Sequence, residues 1–349
     1  MAKTISQTSR NRTADLLKGV AVILMIQVHL TELFARQDIY DSLLGSISLF
    51  LGGPPAAPVF MAVMGYYIAV SRRSARQMVI RGIKLIVLGL VLNIGLNFHL
   101  LIKIYTGAFQ IDPLPYIFGV DILFLAGLSI IFLGIMKRFF KFKLIPYVAL
   151  LVLVFAFQYL LQNVIHASTT NYFLAFFYGE GSWWSYFSFI PWLIYPLTGY
   201  LFFILQQPAY EKIRAYYKYV VILSSLVVFV FFNYGLKVSA DLPAYYHHGF
   251  VFYLYSLCFL IFWLFIMNTL AKLPENRVSG FLEWTGINVT AAYVIQWLII
   301  GNTATAIYKT QGLAALVLWF FVIVALMSAG ILAWNRLKSK NNEKYLLRL

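Results

Sequence analysis

Apolar runs long enough to cross a bilayer as helices recur along the whole chain, with only short polar links between them. Backbone amides inside lipid must be paired within the protein, so runs of this kind fold there as helices. The expected fold is an all-α polytopic membrane protein. About ten transmembrane helices are expected, near 14–34, 56–71, 80–98, 115–136, 144–161, 187–206, 219–235, 249–271, 281–301 and 313–335. Composition agrees, since a chain of 349 residues that is 62% hydrophobic and 11% charged exceeds what a soluble core can hide. No polar stretch reaches domain length, which leaves residues 1–349 as a single membrane domain with a basic tail at 337–349. No internal repeat is apparent, and the first run lacks a small-residue cleavage site, so no cleavable leader is expected.

Charge sets the orientation. A net charge of +15 would raise nucleic acid as a partner if the basic residues were clustered on one soluble face. Instead, 23 of the 27 Lys and Arg residues fall in alternate short links and at the two termini, leaving only Arg36, Lys103, Lys237 and Lys309 on the other side. That is the positive-inside pattern. It places both termini in the cytoplasm of a multi-pass cell (inner) membrane protein, with the lipid bilayer as partner and no nucleic acid. Cys258 is the single cysteine and lies inside an apolar run, so neither a disulfide nor a metal site is expected. Nothing in the sequence sets an oligomeric state, and a homo-oligomer stays open.

The first span carries Asp15, Lys18, His29 and Glu32, spaced 3, 11 and 3 apart. At 3.6 residues per turn all four fall near one helical face, with His29 roughly 16 Å along the axis from Lys18. Ionisable groups inside a bilayer are costly and by default mark a functional site. Between the first two spans, the 43–51 run is too short to cross, and Gly52-Gly53-Pro54-Pro55 cannot continue a helix. It reads either as a re-entrant half-helix or as a short interfacial helix with a tight turn.

Later segments offer further candidates. Arg81 and Lys84 open the third span and, with Lys18 and Arg72-Arg73, read either as a collar for phosphates or as ordinary snorkelling cations. Asp121 is either a helix N-terminal carboxylate or a group at the outer entrance. The 162–187 link carries Glu180, Trp183 and Trp184, which suit both an interfacial belt and a sugar-binding mouth. Pro191 and Pro196 should kink the sixth span near Trp192. His247-His248 reads as a pair of solvated loop histidines, and Asn288 and Gln296 lie within the ninth span.

Arg12-x2-Asp15-x2-Lys18-Gly19-x9-His29 resembles the N-terminal signature of the transmembrane acyltransferase superfamily, with Lys18 where that pattern has Arg and Ala14 where it has Leu. Pro58-Val-Phe60-Met-Ala-Val-Met-Gly65 looks like its Phe-rich stretch. Arg81-Gly-Ile-Lys84 through Asn93, Pro191-Trp192-x2-Tyr195-x3-Gly199 and Trp284-x-Gly286-x-Asn288-x4-Tyr293 resemble the heparan-α-glucosaminide N-acetyltransferase branch, with acyltransferase type three as the related family. The resemblance implies transfer of an acetyl group from cytoplasmic acyl-CoA (acetyl-CoA) to an amine or hydroxyl of a carbohydrate acceptor on the other side. It points to His29 as base or acyl acceptor with Glu32 beside it. Lys18, Arg81, Lys84, Arg12 and Asp15 would serve the donor, and Asp121, Glu180, Trp184, Trp192, Asn288 and Gln296 the acceptor. Lys at 18 keeps the charge of Arg and loses its bidentate fork. A secondary transporter or flippase for a small polar or lipid-linked solute is the alternative, compatible with the Gly-Pro break and the proline kinks.

Overall fold

The long apolar runs become helices because each can satisfy its backbone internally while offering lipid or a neighbour an apolar face. The computed structural model describes residues 11–164, 171–179 and 182–346. Leaving aside the shortest helices, the order is α1 (Arg12–Leu33), α2 (Leu43–Gly52), α3 (Ala57–Val70), α4 (Ala75–Leu96), α5 (Ile122–Phe140), α6 (Leu144–Val164), α7 (Ile194–Leu205), α8 (Tyr217–Val230), α9 (Phe232–Ala240), α10 (Phe250–Leu270), α11 (Arg277–Ile287), α12 (Val289–Ile307) and α13 (Leu313–Leu346). Among the described residues β structure amounts to three isolated bridges.

Seven helices are long and apolar enough to cross a membrane, or up to 9 if two bent pairs each form one span. Those pairs are Phe189–Leu205 with Pro208–Arg214, bent by 91°, and Tyr217–Val230 with Phe232–Ala240, bent by 63°. The expected 281–301 span is divided at Asn288 into α11 and α12. α12 carries Thr290, Gln296, Asn302, Thr303 and Thr305, which lowers its apolarity below that of the other spans.

Two local expectations change. The Gly-Pro break is present, but α2 and α3 run through it as one candidate span, Leu43–Val70. Turn hydrogen bonds from Gly53 N–H to the Phe50 carbonyl and from Ala56 N–H to the Gly53 carbonyl, both 3.0 Å, carry the chain across. Pro191 does sit at a break, next to non-helical Ile190, whereas Pro196 lies in the first turn of α7, where a missing N–H leaves no bond unmade. The 337–349 tail continues α13 as far as Leu346.

α1 occupies the centre. It packs against α2, α3, α10, α11, α12 and α13. At its start Asn11 accepts the Ala14 N–H at 3.2 Å, and Asp15 lies in the first turn, where a carboxylate favours the dipole. The closest approach is to α11. A methyl group on Gly19 would strike the Leu282 carbonyl, and one on Gly286 the Asp15 carbonyl, so only glycine permits this crossing. α2 is fastened by polar contacts: Gln27 Nε2 donates to the Ser48 carbonyl at 2.9 Å, and Ser48 Oγ donates to Gln27 Oε1 at 2.5 Å. By contrast α4 exposes Ile80, Ile83, Val87, Val91 and Ile94, one helical stripe of apolar side chains suited to lipid.

Candidate functional site

The four ionisable groups of α1 resolve into two pairs on one face. Near its start, Lys18 Nζ lies 2.7 Å from Asp15 Oδ1. Eleven residues on, His29 Nδ1 lies 3.2 Å from Glu32 Oε2, with both side chains about 15% exposed. An ionised carboxylate only accepts, so in the neutral imidazole the proton of that bond sits on Nδ1 and Nε2 keeps its lone pair. The imidazole is also packed against the Trp297 indole, with ring centroids 4.1 Å apart.

A cavity of about 820 Å³ opens at the Lys18 end. That size suits an organic ligand rather than water or an ion. Its mouth is basic, with Lys18, Arg72, Arg73 and Arg81 joined by Ser71 and Gln77. Among the described residues no carboxylate pairs with the three arginines. The interior is apolar, lined by Phe60, Met64, Leu85, Leu123, Ala126 and Ile130. Leu123 follows closely on Asp121, the N-cap of α5.

Asp121 is the N-cap carboxylate of α5. Oδ1 accepts the Leu123 N–H at 2.8 Å, and Oδ2 accepts the Tyr293 hydroxyl at 3.1 Å. Tyr293 and Trp297 are four residues apart on α12 and so share a face. That face reaches the Asp121 carboxylate through one ring and the His29 imidazole through the other. Thr290, one turn before Tyr293, lines the cavity. The basic cavity and the His29–Glu32 pair are thus bordered by successive turns of one helix.

At the His29 end, phenols gather around Glu32. Burial, then the Glu32 carboxylate, pushes the Tyr40 phenol up to about 12. The same two causes, in the same order, hold Tyr186 and Tyr246 well above the ordinary range. Tyr40, Tyr186 and Tyr246 thus all feel the Glu32 carboxylate, at the end of α1 away from the basic mouth.

The remaining expected site residues disperse. Arg12 is engaged: Nε donates to Glu283 Oε1 at 2.6 Å, and Nη1 to the carbonyls of Ala271 (2.8 Å) and Leu273 (2.6 Å). Lys84 is exposed and does not line the cavity. Trp192 is fully buried and donates Nε1–H to the Tyr246 carbonyl at 2.7 Å. Trp184 packs against Tyr172, at 4.6 Å between centroids. Asn288 Oδ1 accepts from Asn335 Nδ2 at 3.0 Å, tying α12 to α13. Gln296 is fully buried, and neither amide atom has a hydrogen-bond partner among the described residues. Glu180 lies outside the described residues.

His248 corrects the reading of solvated histidines. It is 3% exposed, its Nδ1 is 2.7 Å from the Tyr245 carbonyl, and its Nε2 is 2.8 Å from the Tyr195 hydroxyl. A carbonyl only accepts, so Nδ1 donates there and Nε2 accepts from Tyr195. Sequence reasoning passed over Tyr293 and Trp297 as site residues. Their signal was an i,i+4 aromatic pair inside a span that also holds Gln296.

Fold and site together define a multi-pass helical membrane protein whose central helix runs from a basic cavity to a carboxylate-paired histidine. Residues 10–229 match the catalytic region of the heparan-alpha-glucosaminide N-acetyltransferases, and the chain belongs to that family of membrane acetyltransferases. The match takes in α1 through most of α8; Tyr293 and Trp297 lie beyond it. No curated protein and no solved structure matches the chain.

Proposed function

We propose that this protein carries an acetyl group from cytoplasmic acetyl-CoA to an amine or hydroxyl of a sugar at the extracytoplasmic face of the cell (inner) membrane. The observation that carries the reading is the position of the two α1 pairs: Lys18 faces the basic cavity, and His29 stands toward the opposite end of the same helix. The arginines of the mouth, which no carboxylate pairs with among the described residues, suit the nucleotide phosphates of the donor. The apolar interior suits its pantetheine arm. Roughly 16 Å of helix between Lys18 and His29 is a span that such an arm, extended, can cover.

At the far end His29 Nε2 accepts the proton of the attacking hydroxyl or ammonium while Glu32 holds the ring through Nδ1. The acceptor oxygen or nitrogen bonds to the thioester carbonyl carbon, the carbon–sulfur bond breaks, and the thiolate leaves with the proton returned to it. The same free Nε2 also allows the acetyl group to rest on His29 first. Gln296, whose two buried amide atoms have no hydrogen-bond partner among the described residues, and Asp121 supply hydrogen bonds for acceptor hydroxyls. Tyr40, Tyr186 and Tyr246, the phenols coupled to Glu32, supply flat faces for sugar rings.

The test is purified protein incubated with labelled acetyl-CoA and a panel of amino sugars and polysaccharide fragments. Wild-type protein should transfer label, and His29→Ala should lose transfer by at least about a hundredfold at unchanged thermal stability. Transfer at wild-type rate by His29→Ala would overturn the assigned role. Absence of transfer to every acceptor by the wild type would overturn the function.

A further inference from the structure

The helix end that presents Arg72 and Arg73 has the wrong polarity for an anion. α3 ends at Val70, and the last carbonyls of a helix carry about half a negative charge. The Ser71 N–H caps only the Tyr67 carbonyl at that end. Left alone, the carbonyls of the last turn would point at the cavity mouth and oppose phosphate.

Lys137, in the last turn of α5, meets them. Its Nζ donates to the carbonyls of Ala69 and Ser71 at 2.6 Å each and to that of Ile68 at 3.3 Å. Ile68, Val70, Ser71, Arg72 and Arg73 all line the cavity, whereas Lys137 does not. The ammonium is held in turn, since it lies 5.4 Å from the Phe142 ring centroid. The loop that follows is pinned by the Tyr147 and Tyr200 hydroxyls, which donate to the Lys141 carbonyl at 2.9 and 3.2 Å.

We propose that Lys137 is a positioning residue of the donor site. Without touching the ligand, it cancels the negative end of α3 and fixes the Ser71–Arg73 turn, so that Arg72 and Arg73 present a net positive surface to phosphate. This rests on reading the cavity as the acyl-CoA site. The charge of Lys137 matters more than its hydrogen bonds, because a helix terminus attracts or repels an anion through its whole dipole.

The test compares coenzyme A binding by calorimetry with steady-state kinetics on acetyl-CoA and on S-acetylpantetheine, which lacks the phosphates. Lys137→Met should weaken coenzyme A and raise the acetyl-CoA KM about tenfold, with kcat and S-acetylpantetheine turnover unchanged. Lys137→Arg should restore both. Should Lys137→Met fail to purify, Lys137→Gln, which keeps donors and loses charge, carries the same expectation. Wild-type protein that binds no coenzyme A would overturn the cavity reading itself. Wild-type binding with an equal affinity in Lys137→Met, or an equal loss with both donors, would overturn the role of Lys137 and leave the cavity reading standing.

Discussion

Arg12 and Arg81 carry the same charge, and their surroundings give them different work. Arg12 is consumed by Glu283 and by the chain that turns from α10 into α11. Arg81 faces the cavity without a carboxylate partner among the described residues. Arg12→Met is therefore expected to lower stability by about 1–2 kcal/mol, since the pair is only partly buried, while the acetyl-CoA KM stays near wild type. Arg81→Gln should leave thermal unfolding in place and raise that KM roughly tenfold to a hundredfold, the worth of a charge-assisted hydrogen bond to phosphate. Thermal unfolding and donor titrations on the two purified variants separate these outcomes. The sequence makes both residues look like donor ligands, Arg81 as a cation in a short basic link and Arg12 through its place in the family-like signature. What distinguishes them is a partner 271 residues away in the chain, which no local spacing reveals. His29 and Glu32 were legible for the opposite reason: an i,i+3 pair is fixed by helix geometry alone. Trp297 was not, because its meeting with His29 depends on how α12 packs against α1.

At the scale of elements, the apolar runs predicted where helices form, and backbone chemistry decided where they break. Both prolines of the sixth span are visible in the sequence, but only their register tells a kink from a harmless first-turn position, and that register is set by where Ile194 starts the helix. Glycines are a similar case. Gly19 and Gly286 look unremarkable until α1 and α11 cross at them and each meets the other's backbone. This crossing also carries the Asp15–Lys18 pair, since the carbonyl opposite Gly286 is that of Asp15. Gly286→Ala should cost at least about 2 kcal/mol by forcing the two helices apart. It should weaken donor binding as well, because Lys18 lines the cavity from the same turn of α1. A variant with wild-type melting and donor affinity would mean that the crossing has slack that its backbone contacts exclude.

At the scale of the molecule, α1 acts as a ruler for the helix whose span is least apolar. At its first residue, Arg12 bonds the 271–273 turn and Glu283 of α11. At its far end, the Leu33 and Phe34 carbonyls accept the N–H groups of Lys309 and Gln311, in the turn between α12 and α13, at 2.9 and 2.8 Å. The two ends of α1 therefore touch the two ends of the α11–α12 unit, and 22 residues of helix separate them, roughly 33 Å or one hydrocarbon thickness. α11 and α12 should then cross the membrane together despite Thr290, Gln296 and Asn302, which makes ten spans and puts both termini on the side with most of the lysines and arginines. Cysteine labelling tests this on a Cys258→Ser background. Asp38→Cys and Thr310→Cys should react with a membrane-impermeant maleimide on intact cells, and Lys272→Cys only after permeabilisation. Labelling of 272 and 310 from the same side would leave α12 outside the count of spans. Labelling of 272 alone on intact cells would invert the orientation, and with it the side from which acetyl-CoA must arrive.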